Sequence, residues 1–219
     1  YRDNLQAYWP AETAAGNFKP FNLPPVQETI REAWLTNTQV NFCAKAYPTV
    51  PSEHPDAAAL TVLGGFLRNG FLHRTIREQG GAYGGGASQD SNSAAFRFYS
   101  YRDPRLTETL TDFDASLQWL QTTDHTWQSV EEAILGVIGS IDKPGSPAGE
   151  AKSTYHAELF GRTREKREQF RNQVLAVTAE DLKRVAAAYL QPERASIAVV
   201  THAGQKEVIE QLGLTLKTC

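Results

Sequence analysis

The chain has 219 residues, 41% of them hydrophobic, enough to bury a sizeable core as one large domain or two small ones. A net charge of −3 gives no excess that would point to nucleic acid or an anionic membrane surface. The longest apolar runs fall far short of a membrane span, which predicts a soluble chain with no membrane or nucleic-acid partner. Two cysteines are too few for a disulfide framework: Cys43, in NFCAKAY, reads as a small buried hydrophobe, and Cys219 is terminal. The chain opens on Tyr1, contains no methionine and carries no recognisable targeting segment. The expectation is a fragment or processed product of a larger functional unit.

Residues 1–25 hold four prolines and no sustained period, and read as a linker or the tail of a preceding domain, leaving 26–219 as a single domain. Residues 32–50 are rich in β-branched and aromatic side chains with partial alternation, which predicts one long strand. After Pro51 and Pro55 a helix is expected over 56–69, with Leu60, Leu63 and Leu67 on one face; Gly70 should break it, and 71–79 should resume as a second short helix. Strands follow over 83–89 and 94–101, joined by the turn residues DSNS at 90–93. Asp103 as N-cap and Pro104 in the first turn predict a helix on which Leu106, Leu110, Phe113, Leu117 and Leu120 form one apolar stripe. A helix over 127–141 should end at KPGSPAG, 143–149, a loop that no helix crosses. Helices are expected over 150–160 and 164–176, and Thr178 with Asp181 reads as a capping box opening a helix that runs to Leu190. A buried strand over 195–201 and a short helix over 205–212 close the chain.

This order argues an α+β fold, a mainly antiparallel sheet with helices packed on one face. Regular βα alternation is absent, which speaks against a doubly wound nucleotide fold.

Known chemical motifs are mostly missing. His54, His73, His125, His156 and His202 are scattered, and neither H-E-x-x-H nor H-x-x-E-H occurs; no zinc site is expected from this chain alone. There is no G-x-S-x-G, and GSPAGEAKST at 145–154 places Lys152 wrongly for a phosphate loop. What stands out is LHRTIREQGGAYGGGA, 72–87: a helix running into Gly80 and Gly81, then Tyr83, then three more glycines. Glycine leaves backbone open to close approach and tolerates positive φ, so Arg77 and Tyr83 could together hold a peptide. Equally, Arg77 could complement a helix dipole, Arg74 and Glu78 could be a solvated i,i+4 pair, and Tyr83 could be packed in a tight helix-to-strand turn.

Three segments in order, IREQGGAYGGGASQ (76–89), FRFYSYRDPRLTETLTDFDASLQWL (96–120) and ILGVIGSIDKPGSPAGEAK (134–152), resemble the last domain of presequence-protease-type metallopeptidases of the insulinase/pitrilysin clan. The likeness runs from about Val26 to Leu216. It implies four related α+β domains in two halves joined by a hinge around a chamber, with the inverted zinc motif in the first domain. It also implies that the fourth domain lends an arginine and a tyrosine to the bound peptide. With the R-x5-Y spacing intact, these fall on Arg77 and Tyr83, with Gly80 and Gly81 giving the substrate backbone room. The implied partners are unstructured peptides and the N-terminal half of the same polypeptide; zinc is implied for the parent only, and no peptidase activity for this piece alone. Two other readings stay open: a non-catalytic scaffold of the same fold, and an unrelated small-molecule or nucleotide binder.

Overall fold

A six-stranded sheet with its main helices against one face makes up the computed structural model, which describes residues 28–218. The linker expected over 1–25, and Cys219, lie outside the described residues. The strands are β1 (Arg31–Leu35), β2 (Asn41–Pro48), β3 (Gly84–Asp90), β4 (Ala95–Asp103), β5 (Ser196–Thr201) and β6 (Thr215–Thr218), in the order β3-β4-β2-β5-β1-β6. The β3–β4, β4–β2 and β2–β5 ladders are antiparallel, whereas β1 runs parallel to both β5 and β6. The sheet is thus mixed, antiparallel in three of its five ladders.

Alternation decides which face the helices cover. Along β2, Asn41, Cys43, Lys45 and Tyr47 are buried; along β4 Phe96, Phe98 and Ser100; along β5 Ile197, Val199 and Thr201. Phe42, Tyr101 and Val200 stand exposed on the opposite face. A strand with period two covered on one side only produces this pattern. Cys43 is a buried hydrophobe as its sequence context suggested, and burial pushes its thiol up to about 12.

The single strand expected over 32–50 is two. Between β1 and β2, Thr36–Asn37–Thr38 turns, with Thr38 N–H donating to the Thr36 carbonyl (3.0 Å). The turn crosses the end of β5, where Thr36 N–H donates to the Thr201 carbonyl (2.9 Å), so β5 inserts between β1 and β2. Asn41 fixes the crossing: it accepts from Thr201 Oγ1 (2.6 Å), and its Nδ2 donates to the Asp103 carbonyl (3.1 Å).

Helix α1 (Ala57–Leu67) is apolar nearly all round and correspondingly buried, in contact with β3 and with most of the other helices. Gly70 does not break it. The chain runs on as a π-helical segment, Arg68–Gln79, with Gly70 packed under the Trp119 ring. Helix α2 (Thr107–Thr122) carries the expected stripe, and its Phe113 stacks on Phe98 of β4 at 5.4 Å, a contact worth about 0.5–1.5 kcal/mol beyond burial. Asp103 is not its N-cap. It closes β4, buried, and accepts from Thr109 Oγ1 (2.8 Å) and Arg105 N–H (2.9 Å), because three residues are needed to turn from strand into helix.

Helix α3 (Trp127–Ile141) matches its expected span. Helix α4 (Pro147–Leu159) begins inside the supposed loop: Ser146 caps it and Pro147 takes the first helical position, where its missing N–H costs nothing. Helices α5 (Arg164–Leu175), α6 (Ala179–Tyr189) and α7 (Lys206–Gln211) follow as expected, α6 with the Thr178–Asp181 capping box formed in both directions. The edge strand β6, exposed along its length, has no signature in the sequence.

Candidate functional site

The segment singled out in the sequence folds at one end of edge strand β3. The π-helical segment widens each turn, and its side chains stack at a longer interval than in an α-helix. Glu78 consequently meets His73 (3.3 Å), five residues back, instead of Arg74. The segment closes on itself: Gly81 N–H donates to the Arg77 carbonyl and Ala82 N–H to the Ile76 carbonyl, both at 3.1 Å. Gly81 has φ of 78°, a conformation that would strain any residue with a Cβ, and this lets the chain reverse into β3 within three residues. Gly80 is buried, and the space a Cβ would need there is filled by the Arg105 guanidinium. That guanidinium donates to the Thr75 carbonyl (3.2 Å) and pairs with Asp112 (3.0 Å). Gly80 therefore serves the packing of the turn, and Gly81 lies exposed on its outside.

Arg77 and Tyr83 both face solvent. Arg77 sits in the last turn of the π-helical segment; among the described residues its side chain has no hydrogen-bond or ion-pair partner. Tyr83 is 64% exposed. Its backbone extends the β3–β4 ladder by one step, its N–H donating to the Arg102 carbonyl (3.3 Å).

The ring of Tyr83 is held although the residue is exposed. The Tyr101 ring lies 5.7 Å away, tilted by 56°, and the Arg102 guanidinium carbon stands 5.5 Å from the Tyr83 ring centroid. Tyr101 itself is seated against Gly84, its hydroxyl filling the place of the missing Cβ.

Neighbouring residues of a regular strand point to opposite faces, so Tyr101 and Arg102 should not both reach one ring. Here they do, because β4 carries an extra residue. Its pairing with β2 goes from Cys43↔Ser100 to Asn41↔Asp103, two steps on β2 against three on β4. Arg102 adopts φ of 49°, which costs a residue with a side chain roughly 1–2 kcal/mol. Neither Tyr101 nor Arg102 is marked by any local pattern in the sequence. Their relevance follows from a register shift, and no propensity signals that.

The segment offers the Tyr83 phenol and the Arg77 guanidinium, groups suited to donating hydrogen bonds to carbonyl or carboxylate oxygens, while the Arg102 guanidinium lies over the Tyr83 ring. Among the described residues no group of three or more His, Cys, Asp and Glu side chains is placed to hold a metal ion. A cavity of about 770 Å³ lies elsewhere: Asp90, Asn92, Arg97, Arg162 and Lys166 help line it, around the far end of β3. The length of a seven-residue strand, about 20 Å, separates it from Tyr83. Its volume alone says nothing of chemistry, and no residue of the Tyr83 cluster lines it.

Comparisons with known proteins place this geometry in context. A family model described as "PreP C-terminal domain" matches residues 31–209. The mitochondrial presequence protease of Yarrowia lipolytica is 39% identical over 195 residues, covering 87% of this chain and 19% of the relative. The chain thus spans about a fifth of the length of that relative. Among solved structures, a protease from Helicobacter pylori superposes with a TM-score of 0.71 at 19% identity, over 87% of this chain and 48% of that one. Pitrilysin superposes with a TM-score of 0.61 at 15% identity, over 87% of this chain and 22% of its own. These two likenesses show the fold.

Proposed function

Because the chain belongs to the PreP C-terminal domain family, we propose that it completes the active centre of a longer zinc metallopeptidase by lending Tyr83 and Arg77 to the bound peptide. The zinc ion is held elsewhere in that polypeptide, in its N-terminal half, and this chain alone has no peptidase activity. The substrates are unstructured peptides, and the mitochondrial name of the relative supports an organellar matrix as the place of action. Among the described residues no helix is long and apolar enough to cross a membrane.

One observation carries the reading: Tyr83 is 64% exposed while its ring is held by Tyr101 and Arg102, and Arg77, without a side-chain partner among the described residues, stands in the last turn of the segment that leads into β3. Hydrolysis of a peptide bond builds negative charge on the carbonyl oxygen. A phenol fixed beside that oxygen, in a chamber shielded from bulk water, stabilises the charged state more than the ground state, and loss of one such donor typically costs about 3–4 kcal/mol of barrier. Arg77, a rigid fork of donors, suits peptide carbonyls or a carboxylate. Gly81 keeps backbone bare next to them.

The test is Tyr83→Phe in the full-length polypeptide. The substitution removes one oxygen from an exposed side chain, so zinc content and folding are expected to stay unchanged while kcat falls tenfold or more. Wild-type turnover in that variant would contradict the reading.

A further inference from the structure

The extra residue in β4 lies beyond the regular part of both ladders, and its one tie to the neighbouring strand is through its backbone carbonyl, which accepts from Tyr83 N–H. The β2–β4 ladder is regular on the near side of it, from Cys43↔Ser100 to Pro48↔Ala95, and β3 pairs with β4 without interruption from Gly84↔Tyr101 to Asp90↔Ala95. A bulge that only ended the ladder would be satisfied by glycine, which adopts a positive φ without strain. Arginine stands there instead, and its guanidinium is laid over the ring of the one exposed tyrosine that follows the glycine turn. A bulge in a strand re-aims a side chain, and backbone held in a sparsely populated region persists where the surroundings over-determine it.

We propose that Arg102 is a positioning residue for Tyr83, and that the bulge at Tyr101–Arg102 exists to bring this guanidinium onto the phenol ring from the strand next to it. The inference rests on the role proposed for Tyr83 above. An exposed tyrosine is free to change rotamer, and each excursion carries its hydroxyl away from the substrate oxygen. Tyr101 bounds the ring through an aromatic contact, seated in turn against Gly84; Arg102 bounds it through attraction between cation and ring face. Arg102 therefore touches no substrate atom and acts on the chemical step through the direction of the Tyr83 hydroxyl. Arg77, with no contact to the ring among the described residues, remains free for substrate.

The role predicts an unusual separation of stability from turnover. Arg102→Gly relieves the strained φ and keeps the bulge, so the melting temperature of the full-length peptidase should hold or rise and its zinc content should not change. Its kcat on an internally quenched, unstructured peptide should fall about threefold to fivefold, the weight of an exposed cation–ring contact, with KM within twofold. Arg102→Lys, which keeps the cation, should recover at least half of the loss. In a Tyr83→Phe background Arg102→Gly should cause no further fall. Unchanged kcat in Arg102→Gly, an equal loss in the Tyr83→Phe background, or a loss that accompanies a lower melting temperature or less zinc would each overturn the positioning role while leaving that of Tyr83 intact. A Tyr83→Phe enzyme with wild-type kcat would remove both.

Discussion

Gly80 and Tyr83 are three residues apart in one turn, and their neighbours give them opposite tasks. A Cβ at Gly80 would meet the Arg105 guanidinium and come within 2.5 Å of the Ile76 carbonyl oxygen. The guanidinium is the end of a flexible side chain and can give way; the carbonyl, which accepts from Ala82 N–H, cannot move without loosening the turn. Gly80→Ala should therefore destabilise the chain by about 1–3 kcal/mol, read as a lower urea midpoint with unchanged slope. A midpoint equal to wild type would show that the turn is less tightly packed than described. Tyr83, by contrast, is exposed, and its replacement should leave the fold intact. The sequence singled out this turn and, through the R-x5-Y resemblance, proposed Arg77 and Tyr83 for substrate; it assigned Gly80 to the substrate backbone as well, whereas the structure buries Gly80 against Arg105. Arg102 was not legible there, because what gives it meaning is a pairing between β3 and β4 and one extra residue in the latter, neither of which leaves a local trace.

At the scale of elements, α6 is tied to the start of α1 by one carboxylate. Asp56, just before α1, accepts from the Tyr189 hydroxyl (2.7 Å) and pairs with Arg184 (2.8 Å). The Arg184 guanidinium beside it, helped by Tyr189, holds the Asp56 carboxyl below the usual carboxylate range despite partial burial. A carboxyl whose pKa is depressed in the folded state adds stability above its unfolded value, about 4, and that stability is lost as pH falls through the lower folded value. The wild type should therefore be more stable than Asp56→Asn at pH 6, and the gap between their melting temperatures should close as pH is lowered toward 3. A gap independent of pH would assign the effect to shape and not to charge. The helices were readable from periodicity and caps, the Thr178–Asp181 box most plainly. The division between β1 and β2 was not. TNTQ is a weak turn signal, and what enforces the turn there is a bond to Thr201, about 165 residues further along the chain.

For the whole molecule, topology sets what the sequence could convey. Antiparallel neighbours β3 and β4 are joined by a short turn and were visible as a pair; the parallel pairing of β1 with β5 and β6 joins the two ends of the domain and was not. The result, among the described residues, is a sheet with one face covered, one face open, and an edge strand, β3, that Tyr83 immediately precedes. Under the proposed function, a peptide lying at that end meets donors and positive charge, and its hydrolytic ion comes from another part of a longer polypeptide. The most direct measurement is photocrosslinking from a benzophenone side chain placed at position 83 of the full-length polypeptide, with an unstructured substrate peptide bound and the exposed Tyr155 of α4 substituted in the same way as the control. The peptide should be captured from position 83 and not from position 155; capture from 155 with none from 83 would contradict a substrate path past this end of the sheet.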